Sequence, residues 1–333
     1  MSTPPRQRRL LVPVDLGGSP TACLVRPPLR PSPSPELITA LVESYRRDRA
    51  PHPGAPVEVA FFHGGLPDPA QVAAAGPFPL RLSCPPGDLS RAQVQALARV
   101  GLHTVEVEVL TFDEAVLRDC HRGYSATRAQ ALIRGLKELG LRVGLVLSPG
   151  LPGSDHSQAL RDASWAAGLV DPHLRVDFVR ILPALAWQAS GLAERAAAGR
   201  WRPMRLGEAV TTCAAMVDLL ERAQVPVARL GLQPGPDLPA VVAAGPVHPD
   251  LRGLVQARRF RARMAQALGQ PAAGSRQALR VHPQDLSWAK GTANANVRAL
   301  RAGLGLRELR LIADPDLPRG SVAGNSVVGL THP

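Results

Sequence analysis

The side chains best suited to chemistry lie in or just after short apolar runs. Val105-Glu106-Val107-Glu108-Val109 alternates carboxylates with valines. One of the two carboxylates is expected to point inward and touch a ligand, the other to face covering helices or solvent. Arg81 and Ser83 fall in Leu80–Ser83, and Arg180 in Val176–Leu182. The two arginines are candidate anion contacts, or else ordinary salt-bridged groups. Gly64-Gly65 ends the run Val57–Phe62 and is either a ligand-binding turn or a plain strand–helix turn. His63 and His121 fall in loops, where a histidine is usually inert. Asp155 reads as a helix N-cap, as does Asp88 ahead of an amphipathic stretch. Four cysteines, Cys23, Cys84, Cys120 and Cys213, include no pair at Cys-x2-Cys or zinc-knuckle spacing. There is no Ser-His-Asp set, P-loop or metal-spaced His/Glu cluster.

These residues are spaced by a repeating pattern. Strand signals at Leu10–Val14, Val57–Phe62, Leu80–Ser83, Thr104–Val109, Val143–Leu147, Val176–Leu182 and Val227–Leu232 alternate with helical stretches. About seven strand-then-helix units predict parallel strands with helices outside, an α/β TIM-like or partial barrel. In such barrels the chemistry sits on loops after strands. The predicted organisation is a disordered basic tail over 1–8, a barrel over 9–248 and a smaller module over 249–333. That module reads as a basic helix, Pro249–Leu268, followed by a small α/β appendage.

Composition narrows the function classes. The chain has 333 residues and a formal charge of +12, with Lys137 and Lys290 its only lysines. Arginine with abundant Ala, Pro and Gly is the mark of a GC-rich genome; the functional alternative is a polyanion partner such as RNA. The densest basic cluster runs from Arg252 to Arg263 and includes Arg258, Arg259 and Arg261. No apolar run approaches the ~20 residues of a membrane span. The first ten residues lack the apolar stretch of a signal peptide. A cytoplasmic protein is expected, with no membrane role and no DNA-binding motif.

Several stretches, all in one order, resemble the radical S-adenosylmethionine (SAM) superfamily, in particular its Elp3-like bacterial branch. They are Phe61–Gly65; Leu80–Ser83; Val105–Gly153, ending in Pro149-Gly150-Leu151-Pro152-Gly153; Asp177–Pro183; Ala197–Pro203; Gly231–Pro234; and Ala244–Pro249. The resemblance covers about residues 9–255. It implies SAM as cofactor and makes Gly64, Gly65, Arg81, Ser83, Glu106 and Arg180 candidate SAM or pocket contacts, with Glu106 the matching carboxylate. The final module resembles the same subgroup's C-terminal region. Relatives carry a basic turn where this chain has Gly291–Asn296, flanked by Lys290 and Arg298, and such a turn can clamp a nucleic-acid backbone. Asp314–Gly320 is also similar to the C-terminal domain of flagellar and type III export stator proteins.

The family's cluster loop departs from its pattern. A radical SAM enzyme needs Cys-x3-Cys-x2-Cys after the first strand, three thiolates holding a [4Fe–4S] cluster whose fourth iron chelates SAM. With Cys23 as the middle ligand, Ser19 and Arg26 take the outer positions; a one-residue shift puts Gly18, Ala22 and Val25 there. Neither register supplies more than one thiolate, and Ser, Ala and Arg are poor substitutes. Leu110-Thr111 replaces the family's Gln-Ser step, Tyr124 a turn histidine, Pro85 a frequent arginine and Arg180 a lysine. The expectation is a radical SAM fold without a standard cluster, serving as a binding or regulatory module for RNA or a protein. The alternatives are an active enzyme with an atypical cluster site, modifying RNA or a small metabolite, and a partner of a secretion-type machine.

Overall fold

A computed structural model describes residues 10–15, 32–49, 57–62, 66–232 and 241–326. Its main sheet holds β1 (Leu10–Asp15), β2 (Val57–Phe62), β3 (Leu80–Cys84), β4 (Leu102–Leu110), β5 (Arg142–Leu147), β6 (Phe178–Ile181) and, past a short β7 (Ala186–Trp187), β8 (Val227–Leu230). The order is β1-β2-β3-β4-β5-β6-β8, and every pairing is parallel. β7 pairs antiparallel with β9 (Val242–Ala244) in a separate ribbon. This is the partial TIM-like arrangement that the strand–helix alternation predicts, with boundaries shifted by a residue or two.

The alternation of side chains explains why the sheet curls round a polar interior. Val57, Val59 and Phe61 of β2, Leu80 and Leu82 of β3, Val105, Val107 and Val109 of β4, and Val143, Leu145 and Leu147 of β5 are all buried. A parallel sheet needs both faces covered, and these residues supply the apolar one. The intervening positions carry Glu58, Arg81, Ser83, Thr104, Glu106, Glu108, Arg142 and Arg180. Those side chains line the inner face.

Helices α1 (Pro35–Arg49), α2 (Pro69–Ala74), α3 (Arg91–Arg99), α4 (Glu114–Asp119), α5 (Ala126–Glu138), α6 (His156–Ala166), α7 (Gly191–Ala197) and α8 (Leu206–Arg222) fall between and after the strands. Most starts are set by short polar caps. Asp68 and Ser90 form capping boxes with Gln71 and Gln93. Asp113, Ser125, Asp155 and Ser190 each accept from a first-turn N–H. Asp155 thus caps α6 as expected. Asp88 does not cap α3: it lies in a 3-10 turn, and Ser90, two residues on, takes that role. Ser90 is the residue with an acceptor immediately ahead of the helix and a glutamine three places later to answer it.

The chain divides into two compact units, Met1–Arg205 with Met216–Val247, and Leu206–Ala215 with His248–Pro333. The second contains α9 (Leu251–Leu268), β10 (Arg276–Val281), α10 (Leu286–Lys290), α11 (Ala295–Gly303), β11 (Glu308–Ala313) and β12 (Val322–Ser326). β10 lies between a parallel β11 and an antiparallel β12. Phe260, Met264, Leu279, Val281, Ala289, Leu300, Leu306 and Leu309 form its core. Asp285, fully buried, accepts from Arg319 and from the Gly320 N–H and so anchors the loop before β12.

Candidate functional site

The inner face of the sheet is laced by charge. Arg81 on β3 donates through Nη2 to Glu58 Oε2 on β2 at 2.5 Å and through Nη1 to Glu106 Oε1 on β4 at 2.6 Å. Arg180 on β6 donates through Nη1 to Glu106 Oε2 at 2.5 Å. Thr104 Oγ1 satisfies Glu58 Oε1 at 2.9 Å. Both carboxylates are buried, Glu58 at 1% and Glu106 at 2% exposure. Two anions so far from water persist only because each is paired and hydrogen-bonded. Burial works against the Arg81 charge, but hydrogen bonds to Glu58 and Glu106 and their charges outweigh it, and its pKa lies above the usual guanidinium value.

Strand geometry places this network. Gly144 on β5 is in register with Glu106 on one side and Phe178 on the other. A Cβ there would stand 2.3 Å from the Phe178 ring, so glycine opens the space into which that ring folds. The guanidinium carbons of Arg81 and Arg142 lie 5.1 and 4.9 Å from the ring centroid.

Glu108 departs from expectation. It does not face the helices or open solvent while Glu106 faces inward. Ser83 Oγ donates to Glu108 Oε1 at 3.2 Å from the inner face of the neighbouring strand. Residues two apart on a strand share a face, so the two carboxylates point the same way.

Above the network the strand ends are pinned by local contacts. The Tyr124 hydroxyl lies 2.8 Å from the Glu108 carbonyl and 3.0 Å from that of Val109, and accepts from Arg122 Nε. Leu110 has φ +63°, a strained backbone for a branched side chain. Its side chain joins an apolar cluster with Val116, Cys120, Val146, Leu151, Ala184, Ala186, Leu192 and Trp201. Trp201 Nε1 donates to the Gly150 carbonyl at 3.2 Å, holding the Pro149–Gly153 turn. Asp162 on α6 accepts at Oδ1 from the Phe112 N–H at 2.8 Å and from Gln158 Nε2 at 2.9 Å. Burial pushes its carboxyl up to about 6, against hydrogen bonds from Phe112, Thr111 and Gln158 that favour the anion.

The other candidates divide. Arg81, Ser83, Glu106 and Arg180 come together. Glu58, Thr104 and Arg229 join them although none was singled out from the sequence. Glu58 was detectable as the one charge in Val57–Phe62; Arg229 looked like any other arginine. Cys23, Ser19, Arg26, Gly64 and Gly65 lie outside the described residues. Among the proposed nucleic-acid contacts, Arg258, Arg261, Lys290 and Arg298 are exposed. Arg259 is not a surface residue: it is 3% exposed and donates to Gln256 Oε1, because its place on α9 faces inward with Val255, Gln256 and Phe260. Arg298 is tied back to the Ala293 carbonyl. Among the described residues no group of three or more His, Cys, Asp or Glu could hold a metal ion.

A curled sheet of parallel strands with helices outside and a polar inner face is the partial barrel of radical SAM proteins. Residues 32–166 match the radical SAM superfamily domain, and residues 176–261 the radical SAM C-terminal domain. Over 118 residues the chain is 29% identical to a tRNA uridine(34) acetyltransferase of Methanocaldococcus jannaschii, which covers 35% of this chain and 21% of that protein. A protein of the same name from Methanocaldococcus infernus is 29% identical over 125 residues, 38% of this chain and 23% of that one. The structure of M. infernus Elp3 lacking residues 1–46 superposes with a TM-score of 0.60 at 19% identity, over 76% of this chain and 63% of the other. The chain therefore belongs to the radical SAM superfamily, in its Elp3-like branch. It spans less than a quarter of the length of these curated relatives.

Proposed function

We propose that this is a cytoplasmic radical SAM-fold protein that does not assemble the standard [4Fe–4S] cluster and acts as a binding or regulatory module directed to RNA. The superfamily's name implies SAM and normally the cluster. The donor set of this chain does not fit that cluster. The observation that carries the reading is Ser19-x3-Cys23-x2-Arg26, one thiolate where three are required and a fixed cation at an outer position. A second observation agrees. Glu106, the carboxylate that family register makes a SAM contact, has both oxygens occupied by Arg81 and Arg180. The RNA direction draws on relatives named as tRNA-modifying enzymes and on the exposed Arg258, Arg261, Lys290 and Arg298.

The test is anaerobic purification followed by reconstitution with iron and sulfide. The expected result is little bound iron, no charge-transfer absorbance from iron–sulfur bonds and no cleavage of added SAM. About four irons per chain with SAM cleavage would replace this reading by that of an active enzyme with an unusual cluster site.

A further inference from the structure

We propose that Arg276, Arg307 and Arg310, where β10 and β11 begin, form a surface that takes the sugar–phosphate backbone of RNA without regard to sequence. The proposal rests on the RNA direction of the proposed function and gives it a contact surface other than α9 and the Gly291–Asn296 turn.

Charge is unevenly divided along the chain. Residues 248–333 contain thirteen Lys and Arg against five Asp and Glu, a net of +8 out of the chain's +12. Four of the five acidic groups are occupied. Asp250 caps α9 by accepting from the Gly253 N–H. Buried Asp285 holds Arg319. Asp314 pairs with Arg280 at 2.9 Å, and Glu308 accepts from Arg310 Nε at 2.5 Å. Asp316 is exposed in the turn after β11.

Strand register gathers the cations. Arg276 on β10 is the parallel partner of Glu308 on β11, and Arg310 stands two residues on, so the three side chains leave the same face of the small sheet. The helices take the opposite face, where Leu279, Val281 and Leu309 join Phe260 and Met264 in the core. Arg276 Nε lies 3.7 Å from Glu308 Oε2. The Arg310 hydrogen bond first, and then the charges of Arg310, Arg276 and Arg307, hold the Glu308 carboxyl below its usual value, with slight desolvation opposing them. Three guanidinium groups thus surround one carboxylate, and they reach water: the Arg276 and Arg310 side chains are 56% and 60% exposed, and Arg307 is exposed.

Charge on an edge strand ordinarily blocks pairing with other chains, and among the described strands β11 is an edge. A single cation serves that purpose, and Arg276 lies on the central strand. Like charges gathered at a surface repel until salt or a polyanion intervenes. Guanidinium forks match phosphate oxygens, and a run of phosphates meets several of them at once. The other register positions on this face, among them Ala278, Ile312 and Ala323, hold no aromatic residue. Bases have nothing there to stack on, so the contact is to the backbone.

The test is fluorescence anisotropy of the full chain with a labelled transfer RNA over a sodium chloride series, and with poly-L-glutamate as the rival polyanion. The parent is expected to bind transfer RNA at low salt. Changing Arg276, Arg307 and Arg310 together to Gln should weaken binding at least ~10-fold and reduce the salt slope by about 2. Removing the same charge at Arg91, Arg99 and Arg118, exposed in the first unit, should leave the slope unchanged. Glu308→Gln should tighten binding ~2–5-fold, a gain that loss of structure cannot mimic, and it decides if the triple variant does not fold. If the parent does not bind transfer RNA, the RNA reading falls and this proposal with it. If the parent binds but the triple variant keeps its slope, or Glu308→Gln binds no tighter, the surface assignment alone is overturned. It is likewise overturned if the three arginines are needed for poly-L-glutamate and not for transfer RNA.

Discussion

Arg81 shows how much one side chain can hold. Its two terminal nitrogens join β2 to β4 through Glu58 and Glu106, while it is itself only 13% exposed. Removing it takes a charged partner from both buried carboxylates, Glu58 and Glu106. Breaking a buried pair from one side costs about 3–5 kcal/mol, because the remaining charge keeps its desolvation penalty. Arg81→Leu should therefore lower the unfolding free energy by that order in urea titrations. Adding Glu58→Gln to it should recover part of the loss. A variant as stable as the parent would show that Glu58 finds another partner. The sequence marks Arg81 as a charge inside an apolar run, which is why it could be selected. It does not say that the partners are Glu58 and Glu106, since those lie 23 and 25 positions away and meet it only through parallel pairing.

At the scale of elements, Asp162 ties the segment after β4 to α6, and this tie depends on pH. Its carboxyl, pushed up to about 6 by burial, holds a proton more tightly in the folded state than near the usual 3.8 of the unfolded chain. Between about pH 4 and 6 the folded state therefore binds more protons, and its stability falls as pH rises through that window, then levels off. The shift corresponds to roughly 3 kcal/mol. Asp162→Asn keeps an acceptor for the Phe112 N–H and has no charge to bury. It should be at least as stable as the parent at pH 7, and the parent's decline between pH 4 and 6 should be absent from it. Denaturation at several pH values measures both; an unchanged decline would assign it to another group. Alternation and caps made the elements themselves legible. The inward direction of both Glu106 and Glu108 follows from the two-residue period, and assigning them opposite faces set that period aside.

At the scale of the whole molecule, the charge of +12 makes an RNA partner testable. A complex held by phosphate contacts loses affinity steeply with salt, with a slope near −0.7 per contact for single strands. If Arg258, Arg261, Lys290 and Arg298 contribute, replacing Arg258 and Arg261 with Gln should weaken binding to a transfer RNA and reduce the slope by about 1 to 2. Replacing Arg259 should instead destabilise the second unit, since it is buried and donates to Gln256 Oε1. No binding at low salt would remove RNA from the proposal. What the sequence alone determined is the order of strands and helices, the family and the presence of a single cysteine, Cys23, in the stretch after the first strand. These are properties of period, motif and residue type, and they are local. What only the tertiary structure decided is which charges meet: Glu58 and Glu106 at Arg81, Arg180 beside Arg229, and Arg259 turned inward. Such meetings depend on register between strands far apart in the chain and on which side of a helix is covered, and an arginine looks the same in the sequence whether it ends in water or against a buried carboxylate.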